Sequence, residues 1–413
     1  MVRRGYTARP LMTALDVLSW TLLAVAVPTA IWWFVVLVRV ALVATTRPTV
    51  RSGIDLPEPE GGWPSVSVVV PAHNEERVIE RCGRSLLDQN YPRLQPIFVL
   101  DRCTDATAER LRSVDPDGDR LQIIENDSCP ADWAGKCNAA RIGAEQATGD
   151  LLLFMDADTG AEPDVIRAAV ALLKSRGLGL LSLLSTLTCE HDFEFRSQSV
   201  ATMALLYLYP PDMVNNPRKS RAFANGQFML FDRGWYERIG GHASVKDDLL
   251  EDIAFAQRIS WKGGLGNILM ADGLFSCSMY SSRTSFRRGW QRIFIESCRR
   301  KPARMRKLAY RLLLTGVFMP VAMSVAIVIG AVAAAVGDSG PGFVVACVAA
   351  AGLILQAVAL GWMAKMGRQP IRTLFLHPMG CLEVAGILRS GADLLLRGEP
   401  VVWGGREYVL EAR

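Results

Sequence analysis

The stretch Ser65-Val66-Ser67-Val68-Val69-Val70-Pro71-Ala72-His73-Asn74-Glu75 sets a mostly β-branched run directly against a polar turn. Branching at Cβ favours extended backbone, and a short apolar run without polar alternation suits a strand covered on both faces. The same grammar repeats downstream. Strands are expected at 65–70, 96–100, 121–124 and 151–155, with helical windows at 75–88, 106–112 and 136–146 between them. Strand–helix–strand alternation implies an α/β fold, a Rossmann-like, mostly parallel sheet with helices on both faces. Such sheets bind ligands beyond the carboxyl ends of their strands.

Those ends are chemically alike. The first expected strand runs into Pro71, Asn74 and Glu75, the second into Asp101, and the fourth into Asp156-Ala157-Asp158. One Asp after a strand is usually a turn or cap residue, but three such ends on one edge mark a ligand site. An Asp-x-Asp pair suits a hard divalent cation, Mg2+ or Mn2+, bound by few carboxylates and completed by phosphate oxygens and water. The sequence has no G-x-x-x-x-G-K-[ST] loop and no G-x-G-x-x-G after the first strand, which argues against a P-loop NTPase and a dinucleotide redox enzyme. A nucleoside-diphosphate ligand held mainly through its metal remains. Further on, Ala224-Asn225-Gly226-Gln227 is a small-residue turn leading into a strand, and Glu251-Asp252 opens a helix at 253–261. Acidic residues there are commonly caps or dipole partners. Beside the other carboxylates, they can supply a general base.

The rest of the chain is membrane-like. Of 413 residues, 50% are apolar and 21% charged, which excludes a disordered or wholly soluble chain. Uncharged runs at 17–38, 312–336 and 343–363 are each long enough to span a hydrocarbon core of ~30 Å. The 378–396 stretch carries Glu383, Arg389 and Asp393 and reads as an amphipathic helix lying in the interface. Eleven Lys and Arg residues between 283 and 311 put the central module on the cytoplasmic side. Nine irregularly spaced cysteines and only four histidines argue against zinc and for reduced, cytosolic thiols. The expected organisation is a tail and anchor (1–51), a cytoplasmic module (52–305), a transmembrane hairpin (306–366) and an interfacial segment (367–413). The apolar stretch ahead of Pro210-Pro211, from Phe193 to Tyr209, is either core or a surface dipping into the headgroup layer.

Taken in order, Pro-x-x-Asn-Glu at 71–75, Asp101, Lys136, Asp156/Asp158, Gly226 and Glu251-Asp252 resemble the family-2 glycosyltransferases of GT-A fold. Leu181 to Leu184, Pro210-Pro211 through Arg218, Met279-Tyr280, Gly289-Trp290 and Trp403 to Tyr408 are similar to the membrane group that includes hopanoid-associated, carotenoid and ceramide glycosyltransferases. The resemblance implies an inverting transfer from a nucleotide-diphosphate sugar, a UDP-sugar, to a hydroxyl of a membrane lipid at the cytoplasmic face of the cell membrane, with no nucleic-acid partner. It implies that Pro71, Asn74, Glu75 and Asp101 line the base and ribose pocket and that Lys136 approaches ribose or diphosphate. Asp156 would contact nucleotide or sugar and assist Asp158, the principal metal ligand; Asp252 would be the base, oriented by Glu251. Two departures stand out. The second strand end carries Leu100-Asp101, a single carboxylate, and Arg287-Arg288-Gly289-Trp290 lacks the Q/R-x-x-R-W signature, leaving Arg287, Arg288 and Trp290 as candidate acceptor or diphosphate contacts. A short-chain polysaccharide synthase and an inactive scaffold are the competing readings.

Overall fold

The computed structural model describes residues 14–46, 49–216, 218, 221–246, 248, 250–335, 340–403 and 406–413. Helix α1 (Ala14–Thr46) leads into the alternating module. Its first half is β1 (Val66–Ala72), α2 (Ile79–Leu87), β2 (Leu94–Asp101), α3 (Thr107–Val114), β3 (Gln122–Asn126), α4 (Gly135–Gln146) and β4 (Leu151–Met155). The second half holds β5 (Thr159–Ala161), α5 (Val165–Ser175), β6 (Leu180–Leu184), β7 (Thr186–Leu187), α6 (Asp192–Leu208), α7 (Pro211–Val214), β8 (Phe228–Asp232), α8 (Arg233–Arg238), α9 (Glu251–Trp261), β9 (Gly266–Met270) and β10 (Phe275–Cys277). All four strands expected from the sequence form, with β1 running two residues further, through Pro71 and Ala72. Helix α2 is assigned from Ile79, later than the expected 75, after a turn in which the Glu75 carbonyl accepts from the Val78 and Ile79 N–H groups.

The main sheet has seven strands in the order β3-β2-β1-β4-β8-β6-β9. Pairing is parallel except where β8 runs antiparallel between β4 and β6. Both faces are covered, which explains the unbroken apolar runs. Val68, Val70, Phe98, Leu153 and Phe228 enter one core cluster, whereas Val69, Ile97, Val99, Leu152, Phe154 and Phe231 enter the other. The register aligns the chemistry: Ala72 sits beside Leu100, Asp101 beside Asn126, and Met155 beside Phe228. The carboxyl ends of β1, β2 and β4 therefore share an edge with the turn that enters β8. A small sheet, β5-β10-β7, flanks the residues just after β4.

The chain continues as α10 (Arg283–Ser297) and α11 (Pro302–Leu313), which passes through a π-turn into α12 (Met319–Ala335). Then come α13 (Pro341–Met366), α14 (Arg372–Phe375), α15 (His377–Arg397) and a hairpin of β11 (Val401–Trp403) and β12 (Arg406–Tyr408). Three helices, over Val17–Thr45, Pro302–Ala335 and Pro341–Met366, are long and apolar enough to cross a bilayer. They pack together through Ala26, Met323, Ala326, Val345 and Ala349. Helix α15 is more enclosed than an amphipathic helix lying in the interface would be. Its Cys381, Val384, Ile387 and Leu388 join Phe286, Trp290 and Phe294 of α10 in one core. It still exposes Met379 and Leu382, in line with Ile371 and Phe375. The 193–209 stretch is chiefly core: Phe193, Phe195, Leu208 and Tyr209 are buried, and only Tyr207 of its large apolar side chains is exposed.

Candidate active site

Beyond β1 the backbone turns sharply at Asn74, whose φ of +58° lies in the left-handed region that Asn tolerates better than most residues. The Asn74 Oδ1 accepts from the Thr104 N–H at 2.8 Å, tying this turn to the one after β2. The Glu75 N–H donates to Thr107 Oγ1 at 2.8 Å. Burial, then the negative fields of Asp158, Asp156 and Asp105, push the Glu75 carboxyl up to about 8, so at neutral pH it is chiefly protonated and able to donate. At the end of β2, Asp101 is buried. Its Oδ1 accepts from Asn126 Nδ2 and its Oδ2 from Arg102 Nη2, both at 2.6 Å.

Lys136 organises the other side. Its Nζ lies 2.8 Å from Asp156 Oδ1 and 2.8 Å from Glu251 Oε1, so one ammonium ties the end of β4 to the start of α9. Burial alone would lower the lysine's pKa, but the two carboxylates outweigh it and hold the charge well above its ordinary value. Burial would likewise raise Glu251, yet Lys136 keeps it ionised. Among the described residues Asp252 forms no ion pair, and the nearby Lys136 charge only partly offsets the forces that raise its pKa. Its Oδ2 accepts from the Gly226 N–H at 2.8 Å and its Oδ1 from the Ile253 N–H at 2.7 Å. Burial and then the negative charge of Glu251 push it up to about 7. Gly226 has to be small: a Cβ there would stand 3.2 Å from Lys136 Nζ, 3.3 Å from Asp252 Oδ2 and 3.4 Å from Glu251 Oε1.

Among the described residues the buried Oδ1 of Asp158 has no hydrogen-bond partner, an uncommon state for a carboxylate oxygen. Its backbone carbonyl is held by Arg81 Nη2 at 2.7 Å and the Ser278 N–H at 3.1 Å. Burial, then Asp156, raises its pKa to about 7. An orphaned acidic oxygen beside a second carboxylate fits a divalent cation. Among the described residues no three His, Cys, Asp or Glu side chains cluster as a protein-only site. That matches a hard ion taking few protein ligands and completing its shell with diphosphate and water.

Asp101 belongs to the same neighbourhood, because a Cβ on Gly135 would lie 3.2 Å from its Oδ2, one residue before Lys136. The three candidates on α10 are not brought into it. Trp290 is buried between Phe286 and Phe294, and Arg287 reaches Glu383 Oε1 at 3.4 Å. Arg288 lines a separate cavity with Arg287. The glycine at 289 also has a local cause, since a Cβ there would run into the Tyr280 ring. Sequence reasoning missed Arg81, Arg102 and Asn126, which hold Asp158 and Asp101, and Arg292, whose charge also favours ionised Glu251. Only Arg102 carried a signal, its adjacency to Asp101.

Residues 67–240 match the family model described as Glycosyl transferase family 2. The chain is 25% identical over 195 residues (47% of this chain, 51% of the relative) to 4,4'-diaponeurosporenoate glycosyltransferase of Staphylococcus haemolyticus. It is 27% identical over 209 residues (49% and 42%) to beta-monoglucosyldiacylglycerol synthase of Synechocystis sp.. With glycosyltransferase AglE of Haloferax volcanii it shares 29% over 120 residues (29% and 38%). The chain thus spans about half or less of the length of these curated relatives. Among solved structures, mannosyltransferase PcManGT from Pyrobaculum calidifontis, in complex with GDP-Man and Mn2+, aligns at 21% identity and TM-score 0.45, over 89% of this chain and 99% of that one.

Proposed function

We infer that this chain, whose residues 67–240 are a family-2 glycosyltransferase domain, moves a sugar from a nucleotide-diphosphate donor to the hydroxyl of a membrane lipid with inversion at the anomeric carbon. The observation that carries the reading is the Lys136 bridge to Asp156 and Glu251, which sets Asp252 beside the Asp-x-Asp strand end. Asp252 serves as the base. With a pKa of about 7 it is part-ionised at neutrality, the condition under which proton removal is most effective. The acceptor oxygen bonds to the anomeric carbon as its proton passes to Asp252, and the bond to the nucleotide's β-phosphate oxygen breaks with its electron pair. One base and no enzyme nucleophile give one inversion, so an α-linked donor yields a β-glycoside.

Asp158, with Asp156, would hold Mg2+ or Mn2+, which supplies charge neutralisation for the departing diphosphate. Glu75, chiefly protonated at neutral pH, offers a donor to the nucleotide, and Asp101 and Asn74 shape the base and ribose pocket. Lys136 spends its charge on Asp156 and Glu251, so its first duty is to hold the base in place. A lipid acceptor is supported by the three candidate spans and by relatives named for a carotenoid acid and a diacylglycerol. The basic 283–311 segment supports a cytoplasmic domain. The test supplies a UDP-sugar, Mn2+ and a membrane-lipid extract, and follows UDP release. The full chain should release UDP only with lipid present. Asp252→Asn should bind donor while turning over on the order of 10²–10⁴-fold more slowly; unchanged turnover would remove the base.

A further inference from the structure

Two cavities in this molecule differ in charge logic. The larger, about 690 Å³ beside α2, is lined by interleaved acids and arginines that pair with one another, as Arg84 and Arg110 both do with Glu80. It has no net preference for an anion. The smaller, about 270 Å³ between α10 and α15, is lined by Thr284, Arg287, Arg288, Gln291 and Ser390. Every lining side chain carries a hydrogen-bond donor and no carboxylate is among them, although the Ser390 hydroxyl donates to the Ile387 carbonyl at 3.0 Å. Gln291 Nε2 already donates to Ser390 Oγ at 3.0 Å, fixing the two helices against each other. Glu383 pairs with Arg283 and Arg287, and among the described residues Arg288 forms no ion pair.

The depth of this cavity is set by the helices around it. Helix α11 continues into α12 through Leu314–Phe318, where the second candidate span becomes apolar, and Gly316 of that turn packs against Cys381 of α15. From Cys381, α15 runs back along α11 to the Arg306–Asp393 pair. Ser390 lies nine residues beyond Cys381, ~13 Å along the helix, and Glu383 only ~3 Å beyond it. The headgroup layer extends ~5–8 Å past the hydrocarbon on each side, so the Arg287 end of the cavity, paired with Glu383, falls at its level, and the Gln291–Ser390 end rises just above it. The apolar side chains of Phe375, Met379 and Leu382 are exposed at the same end of α15. No donor-site residue lines the cavity.

We propose that Thr284, Arg287, Arg288, Gln291 and Ser390 form a binding site for the phosphate of an anionic lipid headgroup, separate from the donor site. The Arg288 guanidinium, the Arg287 guanidinium that Glu383 holds at its other side, and the Thr284 hydroxyl suit a phosphodiester, and a lipid held there would fix the height of the domain above the bilayer. The inference rests on the membrane reading and is independent of sugar transfer, so binding is measured without donor and its failure leaves the transferase reading untouched. The full chain in detergent is titrated with dioctanoyl phosphatidylglycerol and, separately, dioctanoyl phosphatidylcholine, and bound lipid is counted by native mass spectrometry. One phosphatidylglycerol should be retained at concentrations where phosphatidylcholine is lost. Arg288→Gln, at an exposed position, should weaken retention at least ~10-fold, whereas Lys307→Gln, in the same basic segment but outside the cavity, should leave it unchanged. Equal retention of the two lipids, or equal loss in both variants, would overturn the site. Displacement of the lipid by an equal concentration of inorganic phosphate would make it a free-anion site and overturn the headgroup assignment.

Discussion

At Asp252 two backbone N–H groups orient the carboxylate while burial and Glu251 push its pKa up to about 7. If it is the base, the transfer rate should rise as pH increases through about 7 and then level off, and Asp252→Asn should abolish that limb; a rate profile at saturating donor checks both. Stability should move oppositely. The folded pKa lies above the ordinary carboxyl value, so folding favours the protonated form; stability is greatest at low pH and falls as pH rises from about 4 through about 7. Asp252→Asn should therefore melt higher than the parent at pH 8 and differ little at pH 4, a thermal-scan comparison. Lys136 predicts the reverse. Its ammonium balances two carboxylates, and Lys136→Met leaves them repelling each other. Because Lys136 and Asp156 are about a quarter exposed, the loss should be about 1–3 kcal/mol, below the 3–5 of a dry pair. Asp156, Glu251 and Asp252 could be named from sequence because each ends a strand or starts a helix, whereas Lys136 came from the resemblance alone. Arg81 could not be named, since a side chain reaching the Asp158 carbonyl from α2 leaves no trace in spacing.

Among the elements, the parallel half of the sheet was readable because residues of β1 feed two cores in alternation, which keeps the strand apolar apart from Ser67, whose buried hydroxyl is hydrogen-bonded to Gln95 and the Gly149 N–H. The antiparallel β8 was not. A run such as Phe228 to Phe231 looks the same in either direction, and only pairing with β4 and β6 fixes its sense. That sense matters, because it delivers the Gly226 turn to the edge where β1, β2 and β4 end. Gly226→Ala should leave the sheet intact, as the added methyl meets side-chain tips at 3.2–3.4 Å and no backbone. It should still slow turnover ~10-fold or more by moving Asp252 off its N–H donors; a circular-dichroism melt beside the rate assay separates the two effects. The α10 motif was read by resemblance as ligand contacts, whereas Trp290 fills core and the Tyr280 ring occupies the space a larger residue at 289 would need. Residue type along a helix does not say which face meets a neighbour that arrives from a hundred residues away.

Across the whole molecule, the spans were visible as uncharged runs, and the expected module of 52–305 is the stretch that holds none; side-chain packing continues across its end. The core around Phe286, Trp290 and Phe294 is completed by Val384, Ile387, Leu388 and Leu395 of α15, and by Val401 and Leu410 beyond it. The buried carboxylate of Glu383 adds links to Ser197 on α6 and to Arg283 and Arg287 on α10. Each fully buried aliphatic side chain contributes ~1.5–3 kcal/mol, so these six together represent roughly 10 kcal/mol or more. That is comparable with the ~5–15 kcal/mol by which a whole domain is stable. A chain ending at residue 366 should therefore lose the second core as well as its last helix, and expose Phe286 and Phe294 to water. It should bind a hydrophobic dye at room temperature and lack a cooperative melt, while the full chain does neither. If the shortened chain melts cooperatively within a few degrees of the full one, the C-terminal segment is an appendage and the catalytic module ends before the membrane hairpin.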